Sequence, residues 1–167
     1  MTEIADYAKH LWAHAAELHC PGCGKLVHRD APTRAAQSVM NELAGEKLLV
    51  TYPVAVADEE HFIGVREGLL RDGYRRVRVK GEVRDLDEVR PSEVTNGRST
   101  HLDVVADRTV ARARDQARLV EALEDAMRRG AGHATVWSTS GAELGFSEGL
   151  HRPSCDRSFR RAPPRLF

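Results

Sequence analysis

The sequence predicts an α+β fold in which a β-α-β unit occurs twice, as in split β-α-β sheets that carry their helices on one face. The first observation is that strand-like and helix-like patterns alternate as β-α-β, loop, β-α-β between residues 47 and 139. The second is the loss of periodicity after that point. We therefore expect a helical segment at 1–46, an α/β core at 47–140 and an irregular tail at 141–167.

Two helices are expected ahead of the core. Residues 2–17 carry apolar side chains at helical spacing, and Thr2 is in position to cap the first turn. Pro32 begins a second helix over about 32–44, because proline is compatible with a first helical turn. The apolar face of the first helix requires a packing partner.

The core is predicted from periodicity and from glycines that end its helices, such as Gly73 and Gly130. In chain order the expected elements are a strand at 47–56, a helix at 59–72, a strand at 73–81, a short strand at 82–86, an exposed loop to residue 100, a strand at 101–110, a helix at 112–129 and a strand at 133–139.

The strand at 73–81 is strongly basic. In an extended strand successive side chains alternate faces, so Val77 and Val79 point to one side while Arg76, Arg78 and Lys80 point to the other. The strand at 101–110 carries Asp107-Arg108 near its end. Two strands with arginines at their edges favour a binding surface over a catalytic cleft; the alternative is a solvated sheet edge that its charges protect from aggregation.

The composition excludes several functional classes. The 25 basic and 25 acidic residues cancel, so no global charge favours nucleic acid or a membrane surface. No apolar run approaches the ~18–20 residues of a membrane span. Three cysteines, an odd number, and the lack of a signal-like N-terminus favour the reducing cytoplasm.

The motifs of self-contained enzymes are also missing. The chain has no Gly-x-x-x-x-Gly-Lys-Ser/Thr loop for ATP, no Gly-x-Ser-x-Gly elbow and no His-Glu-x-x-His motif. Local spacing fixes no carboxylate or nucleophile beside His61 or His101, so neither is expected to act as a general base. A binding role is therefore favoured over catalysis.

A Cys-x-x-Cys motif at Cys20 and Cys23 lies in a turn rich in Gly and Pro. Such a turn can direct both sulfurs at one metal, so the pair provides half of a zinc site, with His19 and His28 as irregularly spaced further ligands. The alternative is a structural turn with two reduced thiols, because a matching second pair is missing. A redox Cys-x-x-Cys is less favoured, since that motif normally begins a helix after a strand and this one follows a helix.

Several short segments of the chain belong together as a series. They are Thr2–Tyr7, His19–Cys23, Tyr52–Val54, Gly73–Val79, Gly81–Val83, Val104–Arg108, Phe146–Glu148, Cys155 and Pro164–Phe167. In this order they resemble segments of the UvrA family, whose members are the damage-sensing ATPase subunit of bacterial nucleotide excision repair, and the resemblance covers nearly the whole chain.

The resemblance implies a UvrB-binding domain of a larger protein, with both ends of the chain inside an ATPase scaffold. The parent would be a cytoplasmic homodimer that contacts DNA mainly through its other parts and has no membrane partner. ATP would bind only at the parent's Walker motifs, outside this sequence, and this domain would have no catalytic residue and no cofactor of its own. The UvrB-binding residues implied are Arg76, Arg78, Arg108, Asp107, Lys80 and Arg75.

Two departures from the family leave alternatives open. Arg152 occupies the first cysteine position of the family's closing Cys-x-x-Cys pair, so only Cys155 of that pair remains and its zinc is not expected here. The loop at 55–60 is acidic, whereas the family has a basic one. The alternative functions are a DNA-contacting module of a UvrA-like paralogue, using the basic strand and the arginines of the tail, and a zinc-stabilised structural module built on Cys20 and Cys23.

Overall fold

The computed structural model of the chain describes residues 2–95, 101–152, 155 and 157–160. The chain divides into two compact units. The first comprises Met1–Asp30 with Ser147–Phe167, and the second comprises Ala31–Phe146. No helix among the described residues has both the length and the apolar character needed to cross a membrane.

The helices and strands follow the predicted order closely. In chain order they are α1 (Thr2–Ala15), β1 (Leu18–His19), β2 (Leu26–Val27), α2 (Pro32–Glu42), β3 (Lys47–Ala55), α3 (Glu59–Arg71), β4 (Arg76–Val79), β5 (Glu82–Asp85), α4 (Pro91–Thr95), β6 (His101–Val110), α5 (Gln116–Arg129), β7 (His133–Ser138), β8 (Glu143–Ser147), β9 (His151–Arg152) and β10 (Arg157–Ser158). Short 3-10 helices occupy Leu86–Glu88 and Ala113–Asp115.

A six-stranded sheet in the order β5-β4-β6-β3-β7-β8 forms the centre of the second unit. The pairs β4/β5, β4/β6, β3/β6 and β3/β7 are antiparallel. In the unit β3-α3-β4 the two strands are separated by β6, and in β6-α5-β7 they are separated by β3. The α+β fold and its split β-α-β order are therefore confirmed.

The helix α5 covers one face of this sheet. Its apolar residues Leu119, Leu123 and Met127 recur four apart, and each is fully buried. The helix packs against β3, β6 and β7 and also against α2. Arginines in its last turn lie where the helix dipole favours positive charge.

Gly130 allows the chain to leave α5 close to the sheet. A Cβ atom at this position would lie 2.3 Å from the His133 carbonyl oxygen and 2.9 Å from Tyr52 Cβ. Both distances are too short for nonbonded carbon and oxygen atoms, so only glycine fits without movement of the backbone. Tyr52, which faces this point, is 2% exposed.

The prediction of an irregular exposed loop up to residue 100 was wrong for its first part. A 3-10 helix and α4 occur there, and Leu86, Val89 and Val94 are buried. Glu93 holds the segment, because it accepts hydrogen bonds from the Arg84 guanidinium at 2.9 Å and from the Arg90 backbone N–H at 2.9 Å. Residues 96–100 lie outside the described residues.

The tail expected to be irregular from residue 141 begins with an edge strand, β8, which lies next to β7. The turn between them is stabilised by a hydrogen bond from Ser138 N–H to the Ala142 carbonyl at 3.0 Å. Gly141 adopts a φ of 91°, which glycine reaches without strain. Further along, β9 and β10 pair antiparallel, with Arg152 opposite Arg157.

The two units differ from the three-part division expected from the sequence. The helix α2 falls in the same unit as the sheet because it packs on α5. The segments at the two ends of the chain fall together in the other unit, where the Asp30 N–H donates to the Ser147 carbonyl at 2.7 Å and the Ser147 N–H donates to the Asp30 carboxylate at 2.9 Å.

Candidate functional site

The strand β4 places its arginines on the face of the sheet opposite the core. Val77 and Val79 are buried, Arg76 is exposed and Arg78 is half-buried. The alternation expected from the sequence therefore exists over Arg76–Val79. Beyond it the chain turns tightly at Lys80 and Gly81, whose φ angles are 51° and 89°, and β5 returns beside β4.

Three side chains form a row across the same, open face of the sheet. Leu49 of β3 is paired with Arg108 of β6 on one side and with Trp137 of β7 on the other. Directly paired residues project to the same face, so these three side chains are neighbours. Arg108 is exposed, while Leu49 and Trp137 are half-buried.

Arg78 joins this row by stacking on the indole. Its guanidinium carbon lies 3.4 Å from the Trp137 ring centroid, a close cation–π contact. One terminal nitrogen of the Arg78 guanidinium lies 3.8 Å from the position that a Cβ would take at Gly81. The guanidinium lies over the ring, and this stacking orients the arginine on the open face.

The Trp137 ring is itself fixed by a buried threonine. Its Nε1–H donates to Thr51 Oγ1 at 3.0 Å, and the same hydroxyl donates to the Thr135 carbonyl at 3.2 Å. Thr51 is fully buried. A chain of contacts therefore runs from the interior of the sheet through Thr51 and Trp137 to the Arg78 guanidinium.

A concavity with a volume of about 860 Å³ is lined by Leu49, Arg78, Arg108 and Trp137. Its walls include Leu48, Leu49, Val83 and Trp137 as apolar parts. Asp115 is the single acidic residue among the described residues that line it. The basic residues that line it are Lys47, Arg78, Arg108, Arg112, Arg114 and Arg118.

A second, shallower depression of about 510 Å³ brings together Arg75, Arg76, Asp107 and Arg108. Asp107 is engaged within the chain, because the Arg118 guanidinium donates to its two carboxylate oxygens at 2.7 and 2.8 Å. The Arg108 backbone N–H donates to the same carboxylate at 2.8 Å. The hydrogen bonds from Arg118 hold the pKa of Asp107 below its usual range, with the Arg108 amide acting in the same direction.

A second carboxylate, Asp103, lies opposite Arg78 in the pairing of β4 with β6. Burial raises the pKa of Asp103, and the electrostatic interactions with His101 and Arg78 act against that rise. Asp103 therefore offsets part of the positive charge of Arg78 on the open face. Arg108 is instead paired with the apolar Leu49 of β3.

The sequence-predicted residues thus fall into three places. Arg78 and Arg108 line the larger concavity, Arg75, Arg76 and Asp107 surround the shallower one with Arg108, and Lys80 lies in the exposed turn, where it lines neither. Arg108 is common to both surfaces. We therefore define the arginine surface as Arg76, Arg78 and Arg108 together with Trp137 and Leu49.

The sequence reasoning missed Trp137 and Arg118. Successive side chains of the predicted strand at 133–139 alternate faces, so Trp137 points away from the face of its neighbour Val136, which is buried. A period of two was therefore a usable signal for the tryptophan. No local pattern indicated that Arg118 would reach Asp107, because that contact depends on where α5 begins relative to β6.

The first unit contains a cluster of cysteines. The sulfurs of Cys20, Cys23 and Cys155 lie within 4.8 Å of one another. Cys20 is buried, Cys155 is half-buried and Cys23 is exposed. The hydrogen bond from the Lys25 amide lowers the pKa of the Cys23 thiol to about 7, with the side chains of Cys155, Cys20 and Arg152 acting in the same direction.

The described residues do not complete a closed zinc site. Structural zinc is almost always held by four ligands, and the three cysteines are the only such group among the described residues. His19 is turned to the Gly24 carbonyl at 3.0 Å and His28 to Asp30 at 2.9 Å. The sequence left two alternatives open at Cys20 and Cys23, a zinc site and a structural turn with two reduced thiols, and both stay predictions.

Comparison with known sequences gives a consistent result. The sequence profile of the UvrA interaction domain matches residues 31–139. The chain is 33% identical over 173 residues to UvrABC system protein A of Methanothermobacter thermautotrophicus, covering 100% of this chain and 18% of that protein. The chain is 28% identical over 168 residues to the protein of the same name from Thermus thermophilus, covering 100% of this chain and 18% of that protein. It is 31% identical over 167 residues to the protein of the same name from Bacillus subtilis, covering 100% of this chain and 17% of that protein. The chain thus spans less than a fifth of the length of these relatives.

Proposed function

The chain belongs to the UvrA family, and from that premise we propose that its Ala31–Phe146 unit is a protein-binding domain whose partner is UvrB. In this role the domain helps to load UvrB at damaged DNA during nucleotide excision repair. The chain contributes binding and no chemistry, because its sequence has no ATP-binding loop. ATP hydrolysis, dimerisation and the main DNA contacts belong to other parts of the parent protein.

The arginine surface is the observation that supports this proposal. Arg78 and Arg108 present guanidinium groups around an aromatic and aliphatic centre, Trp137 and Leu49. Arginine and tryptophan are the residue types that most often dominate binding energy at protein interfaces. A guanidinium can clamp a carboxylate with two parallel hydrogen bonds. The surface therefore suits a partner that offers Asp or Glu side chains next to an apolar one.

A DNA contact is the second candidate, and the number of basic residues around the concavity favours it. Single-stranded nucleic acid is normally held by bases that stack on exposed aromatic rings. Arg78 already covers one face of Trp137 at 3.4 Å from its centroid, so that face offers no stacking platform. The whole chain also carries no net charge. Both observations weigh toward the protein partner.

The test is a calorimetric titration of this chain with its cognate UvrB, comparing wild type with the Arg78→Ala/Arg108→Ala double variant. Each truncated hot-spot arginine typically costs about 2 kcal/mol or more, and about 1.4 kcal/mol is tenfold in affinity. We therefore expect the double variant to bind at least ~100-fold more weakly. Far-UV circular dichroism and urea unfolding confirm that the variant is folded.

The matched control is Arg34→Ala/Arg71→Ala, which removes the same charge from exposed positions of α2 and α3. It is expected to bind UvrB as the wild type does. Equal losses in both double variants would attribute the effect to net charge and contradict the proposal. Folded wild type that does not bind UvrB, but binds single-stranded DNA with a steep loss of affinity as salt rises, would establish the second candidate instead.

A further inference from the structure

The cysteine cluster of the first unit has a geometry that the proposed UvrB contact does not use. Cys20 lies at the start of a hairpin loop in which its N–H donates to the Lys25 carbonyl at 2.9 Å and its carbonyl accepts from Gly24 N–H at 2.7 Å. The flanking strands β1 and β2 pair antiparallel. The loop is therefore closed at its base, and it presents Cys23 at its exposed side.

Cys155 reaches this loop from the other end of the chain. Its sulfur lies 3.8 Å from the position that a Cβ would take at Gly22, and all three sulfurs lie within 4.8 Å of one another. A disulfide requires a sulfur–sulfur distance of about 2.05 Å and nearby Cβ atoms. For two of these cysteines to be joined, their sulfurs would have to move from a separation within 4.8 Å to that distance.

Arg152 gives the cluster a character different from that of a metal site. The Arg152 Nε is buried and has no hydrogen-bond partner in the part of the chain that the structure describes. Arg157, its strand partner, has its guanidinium carbon 3.7 Å from the position that a Cβ would take at Gly22, the same position that lies 3.8 Å from the Cys155 sulfur. A guanidinium beside the sulfurs stabilises a thiolate, which is the nucleophile in disulfide exchange. The same positive charge opposes a divalent cation in that space.

We propose that Cys23 and Cys155 form a reversible disulfide when the chain meets a small-molecule disulfide such as oxidised glutathione. The exposed Cys23 thiolate attacks one sulfur of the oxidant and releases one thiolate, which leaves a mixed disulfide on Cys23. The Cys155 thiolate then attacks the Cys23 sulfur and releases the second glutathione thiolate. Both protein thiols are oxidised by loss of their protons and two electrons, and one oxidised glutathione is reduced to two thiols.

Cys155, rather than Cys20, is the assigned partner because Cys20 is fully buried and held by the hydrogen bonds of the loop. The assignment differs from a redox Cys-x-x-Cys pair, which the sequence disfavoured, since the bond closes between the two ends of the chain. It would link covalently the two segments that flank the interaction domain at residues 31–139. A site of this kind would make the connection to that domain sensitive to thiol redox state.

The test uses the full chain, fully reduced and freed of metal with a chelator, in glutathione buffers of increasing oxidised fraction. Non-reducing peptide mapping by mass spectrometry identifies the linked residues. The expected product is a peptide pair joined through Cys23 and Cys155, which a reductant removes. Circular dichroism before and after oxidation confirms that the bond forms in the folded chain.

Two variants distinguish the assignment from its alternatives. Cys155→Ser is expected to lose the linked peptide pair and to accumulate the glutathione adduct on Cys23, whereas Cys20→Ser is expected to retain the Cys23–Cys155 bond. A bond between Cys20 and Cys23 in the wild type, or no bond at any glutathione ratio, would overturn the proposal. So would stoichiometric binding of added Zn²⁺ that protects all three thiols, because the cluster would then be a metal site. None of these readouts involves UvrB, so they stand apart from the proposed function.

Discussion

The two faces of the central sheet are built from alternate residues of the same strands, yet they have opposite properties. On β4, Val77 is fully buried while Arg76 is exposed. On β7, Val136 is fully buried while its neighbour Trp137 supports the Arg78 guanidinium. One face stabilises the domain, and the other displays charge around an aromatic ring.

This difference separates stability from binding at the level of single side chains. Burial of apolar groups drives folding, so the helix-covered face should dominate the free energy of unfolding. Exposed charges contribute little to stability, so the open face should tolerate substitution and lose only partner affinity.

The largest effect is expected at Gly130, where the chain approaches the helix-covered face most closely. Gly130→Ala would place a Cβ 2.3 Å from the His133 carbonyl oxygen and 2.9 Å from Tyr52 Cβ. Overpacking of this kind costs about 1–3 kcal/mol, and the clash with backbone places this variant at about 3 kcal/mol or more. Urea unfolding measures the loss.

The control for that variant is Gly64→Ala in α3, where a Cβ meets nothing within 4 Å. Alanine is favoured over glycine in a helix by up to about 1 kcal/mol, so this variant should be as stable as wild type or more stable. Equal destabilisation by both substitutions would mean that the close approach at Gly130 is not the cause of the effect.

The second-largest effect on the free energy of unfolding is expected within β4, where two neighbouring residues point to opposite faces. Val77→Ala removes a fully buried side chain and is expected to lower the free energy of unfolding by about 2 kcal/mol. Arg76→Ala, one residue earlier on the open face, should change it by no more than about 0.5 kcal/mol. Chemical denaturation of both variants checks the pair, and similar losses would show that the open face also carries stability.

A smaller effect is expected at the link between the faces. Thr51→Val keeps the shape of the side chain but removes the oxygen that accepts from Trp137 Nε1–H at 3.0 Å. A buried polar group left unpaired costs about 1–3 kcal/mol, and we expect the lower end because Trp137 is half-buried. The indole N–H resonance should shift and exchange faster with solvent. Thr33→Val, at an exposed position of α2, should leave both stability and that resonance unchanged.

The open face also shows how far sequence alone predicts this molecule. Alternation of valine and arginine in β4 and the order of periodicities predicted five of the six strands of the sheet, all but β8, because both depend on near neighbours in the chain. The contact between Thr51 and Trp137 spans 86 positions, so only the folded register of β3 against β7 reveals it. The helix α4 was missed because Pro91–Thr95 is short and mostly polar. The sequence indicated only Cys20 and Cys23 of the cysteine cluster, because Cys155 joins them only after folding.

The smallest expected effect concerns the charge pair at the edge of the arginine surface. Arg118 lowers the pKa of Asp107 in the folded chain, so the pair contributes stability above the unfolded pKa of about 3.9. That contribution is lost as pH falls through the lower, folded pKa. Because the side chains are 60% and 24% exposed, we expect the total to be under about 1 kcal/mol.

In Asp107→Asn, the free energy of unfolding should therefore fall less steeply than in wild type as the pH is lowered below about 4. Arg118→Met should flatten this fall to the same extent, and the double variant should add nothing further, because each substitution removes the same pair. The measurement is urea unfolding of all four chains across that pH range. Additive losses would instead mean that Asp107 and Arg118 act separately. In that case Asp107 would be open to a partner's cation, and the positive character of the arginine surface would be weaker than the pair now makes it.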